Sequence, residues 1–289
     1  MAAPAVILLV AFLVAPFIVS IVLSFFRVQL NSPRPARFVG FEQYARLFTD
    51  PDISADFFRA LGNNFLFVLA VVPAQTVLAL ALAILLNRKL AGIAFFRTVY
   101  FMPLVFPFVL VAVVWRLIFA RDERGLLNDF LATISGGQIA AHDWLGSSAT
   151  ALGAIVVMSI WQSVAFQMII FLGALQAVPR ELYEAAELDR ASAWQRLMNV
   201  TVPGIRNTLI FVALLTTIFA FRLFDQVYVL NSSGSINIES TQTMMFQLVN
   251  YATRLNNVGQ AAAMSVVFLI IVATVALIQR RLVRQEGTI

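Results

Sequence analysis

ELYEAAELDRASAWQRLMNVTVP, running from Glu181 to Pro203, is an amphipathic, charge-laden insert between apolar segments that are each long enough to cross a bilayer. A link of roughly thirty residues between two membrane spans is far longer than chain connection requires, and links of this length are usually functional or disordered. This one reads as folded. Pro179 suits the first turn of a helix, and Glu181 and Glu184 sit where the positive helix end favours acids. Ser192 and Gln195 form an S-x-x-Q capping box that opens a second short helix, with Trp194, Leu197, Met198 and Thr201 expected on one face. A helix–turn–helix on a membrane loop offers a docking surface to something in the water.

Working outward, composition fixes the class. Of 289 residues 61% are hydrophobic and 12% charged, and the mean hydropathy is +0.87, far from an ordinary soluble domain. About 20 apolar residues cross the hydrocarbon as a helix. That rule predicts an all-α, polytopic protein whose residues 1–289 form one membrane domain. Its six spans fall near residues 4–26, 64–86, 98–119, 149–172, 207–230 and 261–279. The first segment lacks a basic leader and exceeds the apolar core of a signal peptide, so it reads as a span. No polar leader precedes Ala2, which leaves room for a longer natural chain. With no cysteine, disulfides and thiolate metal sites are excluded. The pI of 10.2 invites a nucleic-acid reading, but the arginines are dispersed among membrane loops and no nucleic-acid module is visible.

Basic residues set the orientation. Arg88, Lys89 and Arg97, then Arg180, Arg190, Arg196 and Arg206, then Arg280, Arg281 and Arg284 crowd one set of short loops. The longer opposite loops hold fewer basic residues and most of the acids. The positive-inside rule therefore places both termini and the 179–203 insert in the cytoplasm. The outward loops read as ordered: FVGFEQYARLFTDPDISADFFRALGNN suits a short interfacial helix. The loop Arg121–Gly146 carries the only histidine, His142, which beside Asp143 reads as solvated surface rather than ligand or base.

Absences narrow the function. No G-x-x-x-x-G-K-[ST] phosphate loop is present, so the chain is not its own ATPase by that route. No H-E-x-x-H, metal-ligand cluster or nucleophile–base pair appears, so no catalytic residue is assigned. The spans also lack the buried carboxylates expected of a proton- or sodium-coupled carrier. If the chain moves a solute uphill, the energy comes from another polypeptide.

EAAELDRASAWQRLMNVTVP, Glu184 to Pro203, resembles the EAA loop of membrane subunits of binding-protein-dependent ABC importers: EAA, three residues, Gly, nine residues, Ile, any residue, Leu-Pro. Glu184, Ala185, Ala186 and Pro203 match at the right spacing, with Val200 and Val202 as conservative replacements. FVGFEQYARLF, FRTVYFMPLVFP and FDQVYVLNSSG extend the resemblance over nearly the whole chain, closest to the carbohydrate-permease branch that includes the maltose importer's larger membrane subunit. The resemblance implies a type I importer fold and a bacterial cytoplasmic membrane location. It also implies two membrane subunits, two cytoplasmic ATPases that carry the ATP and magnesium, and an external solute-binding protein. Two departures stand out. The family glycine is Arg190 here, where a left-handed turn would cost a residue with a β-carbon roughly 1 kcal/mol; either the turn differs or packing tolerates it. At the fifth-span exit, Asn231-Ser232-Ser233-Gly234 replaces a Thr-Gly-Gly-Pro-like turn.

By that resemblance the insert is a knob seated in an ATPase cleft. Glu184 pairs with a basic group there, Tyr183, Ala185, Ala186 and Leu188 pack, and Asp189 and Arg190 complete the coupling segment. The bland alternative is an interfacial helix with solvated charges.

For the solute path, Ser159, Ser163 and Gln167 recur at i, i+4 and i+8 of the fourth span, with Gln162 and Phe166 on the adjoining strip. Hydroxyls and amides beside aromatics suit a neutral sugar or polyol, although small polar residues also glue helices together. The resemblance adds Thr216, Phe219 and Ala220 on the fifth span to Ser159, Gln162 and Ser163 as sugar contacts, and puts Leu104 and Phe108 at further contact positions. Arg222 and Asp225, three apart, are expected to share a helix face and pair, serving as gate, stabiliser or solute contact. Three readings compete: a sugar permease subunit, an importer subunit for glycerol phosphate or a related phosphorylated polyol, and a membrane enzyme or self-sufficient channel that needs no partner.

Overall fold

A computed structural model describes residues 3–30, 32, 35–87, 93–122 and 125–285. Arg88 and Lys89, used above for orientation, lie outside the described residues. The chain is helical almost throughout. In chain order the helices are α1 (Ala3–Leu9), α2 (Ala15–Leu23), α3 (Glu42–Thr49), α4 (Pro51–Leu86), α5 (Ile93–Val105), α6 (Phe108–Ile118), α7 (Leu126–Ile134), α8 (Ala151–Gln176) and α9 (Arg180–Leu188). There follow α10 (Ala193–Arg196), α11 (Val202–Gly204), α12 (Arg206–Phe221), α13 (Asp225–Ser232), α14 (Ile238–Thr241), α15 (Met244–Val249) and α16 (Val258–Gln285). A two-residue antiparallel pairing, Phe26–Arg27 with Arg37–Phe38, is the only named sheet among the described residues.

Five helical stretches are long and apolar enough to span a membrane: Ala3–Leu23, Pro51–Leu86, Ala151–Gln176, Arg206–Ser232 and Val258–Arg281. The expected third span is broken, since Thr98–Val105 and Phe108–Ile118 meet at 109° and make a sixth crossing only as a bent pair. The cause is local. Pro107 has no N–H for the helical ladder, disfavours helical backbone at Phe106, and sits extended at ψ 141 before α6 restarts.

Two other boundaries moved. The second span was read from residue 64, but its helix starts at Pro51, because Asp50 accepts the Ile53 N–H and Pro51 occupies the first turn. The Arg46 guanidinium, hydrogen-bonded to Asp50, holds that carboxyl below the usual carboxylate range. The described residues of the 121–146 loop are organised around a helix, α7, that was not expected. Asn128 of α7 donates to the carbonyls of Ala120, Asp122 and His142, and accepts from the His142 amide and the Trp144 indole. His142 is half-buried there, 3.1 Å from the Thr150 hydroxyl and edge-on to Trp144, rather than solvated.

Packing inverts the soluble pattern. Phe12, Val105 and Leu69 are exposed, whereas Asn63, Asn64, Gln75, Gln162, Gln167 and Gln226 are buried. Apolar side chains in lipid gain nothing by leaving it, so helices associate through close packing and interhelical hydrogen bonds. Two apolar clusters result. One gathers Phe57, Phe67 and Val71 of α4, Ile155 and Met158 of α8, and Phe221 and Leu230. The other gathers Ala79 and Ala83 of α4, Met168 and Phe171 of α8, and Val212 of α12. Rising numbers on α4 and α8 pair with falling ones on α12, so α4 and α8 run parallel and α12 runs antiparallel to them. Tyr183 and Val200 of the insert pack on the second cluster, which is therefore the insert's end of the molecule.

Candidate functional site

The insert folds as a two-helix knob. Pro179 stands just before α9, as its N-cap, rather than within the first turn. The end of α9 is a Schellman closure: Arg190 N–H to Glu187 O at 3.0 Å and Ala191 N–H to Ala186 O at 2.9 Å. Arg190 adopts φ +56. The left-handed turn that suits glycine is thus retained with an arginine in it, and Arg190 is exposed, so no packing relieves the strain. The capping box forms, with Ser192 Oγ accepting from Gln195 N–H and Gln195 Oε1 from Ser192 N–H. An Arg196–Glu187 ion pair joins the two arms.

The expected single face of Trp194, Leu197, Met198 and Thr201 does not hold. A π-helical turn over Leu197–Thr201 shifts the angular register. Trp194 is left 66% exposed while Thr201 is buried. Tyr183 also departs from expectation. It turns inward, its hydroxyl 3.1 Å from Thr201 Oγ1 of the knob's second arm and its ring packed on the second apolar cluster of the spans. Glu184, Ala185, Leu188 and Asp189 remain exposed, Leu188 at 85%, and Ala186 is half-buried.

A cavity of about 450 Å³ lies between α4, α8 and α12 and the start of α13. Ser159, Ser163, Thr216, Phe219, Ala220, Arg222 and Asp225 line it, and so do Leu104 and Phe108 on either side of the break in the third span. Gln162 does not. Buried, it donates from Nε2 to Phe106 O at 3.0 Å, satisfying a carbonyl beside the Pro107 break. Residues that sequence reasoning missed are Phe67, Val71 and Gln75, at i, i+4 and i+8 of α4, together with Gln226. Their regular spacing was visible, but nothing local distinguishes a cavity-facing stripe from a lipid-facing one.

Arg222 and Asp225 are not helical neighbours. The helix breaks between them at Leu223 and Phe224, whose φ is −143, and no ion pair joins them among the described residues. Both are exposed on the cavity. Asp225 opens α13, where the helix end favours an acid. The break is held from outside: Asn64 Nδ2 donates to Phe221 O at 3.3 Å and Thr243 Oγ1 to Leu223 O at 2.7 Å. Asn64 Oδ1 accepts the Met244 N–H at 2.7 Å, and Asn63 donates to the carbonyls of Glu239 and Gln242. Carbonyls released by the broken ladder are thereby satisfied.

The cavity's polar groups are mostly uncharged. Gln167 Nε2 donates to Thr216 Oγ1 at 2.5 Å, and that hydroxyl donates to Val212 O at 2.7 Å. Ser159 Oγ and Gln167 Oε1 are buried without a hydrogen-bond partner among the described residues. Such a surface can bond a polyhydroxylated solute and cover its apolar faces with Phe67, Phe166 and Phe219. Among the described residues, no three His, Asp or Glu side chains gather to hold a metal ion.

Comparisons agree with this architecture. The chain is 32% identical over 280 residues to a probable ABC transporter permease protein, YurN, of Bacillus subtilis, covering 96% of this chain and 92% of that one. It is 31% identical over 281 residues to the lactose transport system permease protein LacF of Rhizobium radiobacter, covering 96% and 90%. The fold resembles a subunit in the crystal structure of a bacterial alginate ABC transporter in complex with an alginate pentasaccharide-bound periplasmic protein, with a TM-score of 0.82 at 18% identity over 100% of this chain and 94% of that one. The sequence profile of the binding-protein-dependent transport system inner membrane components matches residues 75–286, well over half of the chain, and the protein belongs to that family.

Proposed function

We propose that this chain forms half of the translocation path of an ATP-driven importer for a neutral saccharide. The other half is a second, homologous permease subunit. An external solute-binding protein delivers the sugar, and two cytoplasmic ATPase chains bind ATP and magnesium and supply the energy. The basic loops support a bacterial cytoplasmic membrane topology with both termini and the knob inside. The spans correspond to the helices at Ala3–Leu23, Pro51–Leu86, the bent pair, Ala151–Gln176, Arg206–Ser232 and Val258–Arg281.

The observation that carries the reading is the cavity: uncharged hydroxyls and amides beside aromatic rings, between three packed helices, joined through one apolar cluster to the knob. LacF's name as a lactose permease supports the substrate class. Mechanically, Glu184 and the exposed Ala185 and Leu188 engage the ATPase, with Ala186, Asp189 and Arg190 beside them. Tyr183, bonded to Thr201 and packed on the second cluster, passes the knob's displacement into α8 and α12. The cavity then opens alternately to either side. A second reading, import of a phosphorylated polyol, is favoured by Arg222, a guanidinium exposed on the cavity with no ion-pair partner among the described residues.

Uptake by the four-subunit complex in proteoliposomes, with the loaded binding protein added, separates the two. Lactose transport without glycerol 3-phosphate transport supports the first, and the reverse result supports the second. Transport by the isolated chain without its ATPases overturns both.

A further inference from the structure

The cavity has two chemically different ends. Arg222, Asp225 and Gln226 sit at the end away from the knob, where α12 gives way to α13. Gln75, Gln167 and Thr216 sit at the knob end, near Val212 of the second apolar cluster. On the saccharide reading above, we propose that Gln75 of α4 and Gln167 of α8 form a floor that reads hydroxyl groups on the sugar ring entering first.

The argument rests on donors and acceptors. Gln167 is 2% exposed; its amide nitrogen is engaged with Thr216, and its Oε1 is left without a partner. A buried acceptor left unsatisfied is costly, and an amide offers only what its remaining lone pairs can take, an O–H or N–H donor. Gln75 is 4% exposed, lines the cavity, and makes no hydrogen bond among the described residues. It follows Phe67 and Val71 on the same stripe, so α4 presents two apolar side chains and then one amide, as a ring followed by its hydroxyl edge would require. A sugar hydroxyl donates into Gln167 Oε1 and bonds either side of the Gln75 amide. A phosphate dianion has no proton to donate to Gln167 Oε1, so it is disfavoured beside that atom, and an anionic group finds its complement at the Arg222 end.

The test uses the complete importer in proteoliposomes at saturating loaded binding protein, with lactose, cellobiose and arabinobiose as probes. Monodeoxy derivatives of whichever disaccharide is transported follow. We expect at least one monodeoxy sugar to move about threefold to tenfold more slowly than its parent in the wild type, the loss of one neutral hydrogen bond. That gap should close in Gln75→Leu and Gln167→Leu. Equal slowing of every sugar by both variants, or no change, overturns the floor and leaves the two amides as helix glue. Gln75→Leu breaks no existing hydrogen bond and carries the test if Gln167→Leu fails to fold. A wild type that moves glycerol 3-phosphate and none of the disaccharides overturns the saccharide reading itself, and the floor with it.

Discussion

The knob and the cavity are built on opposite principles. In the knob the facing ends of α9 and α10 are closed within the segment, by the Schellman closure, the capping box and the Arg196–Glu187 pair, while apolar Leu188 and Trp194 face outward. In the cavity, open rings such as Phe166 and Phe219 stand beside buried polar atoms, Ser159 Oγ and Gln167 Oε1, that have no hydrogen-bond partner among the described residues. A surface with its hydrogen bonds closed and its apolar groups open suits a protein partner. One that sets aromatic rings beside hydroxyls and amides with hydrogen-bonding capacity to spare suits a hydrated solute. On the proposed function, the difference separates where force enters from where cargo sits.

The largest expected effect breaks the knob's role. Glu184→Lys should reduce ATP-driven uptake to background while membrane insertion, followed by fractionation, is unchanged; wild-type uptake would remove the knob from the coupling path. Next is the scaffold behind the cavity. Asn64→Leu strands the Phe221 carbonyl and the Met244 amide, both buried, and should destabilise the protein by about 1–3 kcal/mol, read as a lower Tm in detergent.

A finer contrast sets Gln162 against Ser163. Gln162→Leu should lower stability by about 1 kcal/mol through the lost Phe106 bond and leave sugar selectivity alone. Ser163→Val should alter selectivity between sugars and leave the Tm within a few degrees. The smallest effect is at the turn. Arg190→Gly should stabilise the knob by about 1 kcal/mol by removing left-handed strain, read as slower amide exchange at Arg180–Leu188, with uptake retained.

The knob was legible because its signals are local. Ser192 and Gln195 are three residues apart, the EAA spacing is contiguous, and caps act within one turn. Even there, the π-helical turn at Leu197–Thr201 escaped, since it depends on how the insert rejoins α12. Ser159, Ser163, Thr216, Phe219 and Ala220, expected on the solute path, line one cavity with Leu104 and Phe108. Gln162 lies outside the cavity lining, its amide turned to the Phe106 carbonyl beside the Pro107 break, a partner on a different span that α8 alone does not reveal.

Composition and the length of apolar runs alone determined that this chain is a bundle of membrane helices, because the bilayer demands internally satisfied backbone and about 20 apolar residues per crossing. Tertiary structure decided that Arg222 and Asp225 flank a kink rather than share a helix, and that Gln75 faces the cavity. Each of these depends on a hydrogen bond or packing contact between residues far apart in the chain, and no local pattern of side chains encodes which partner will be met.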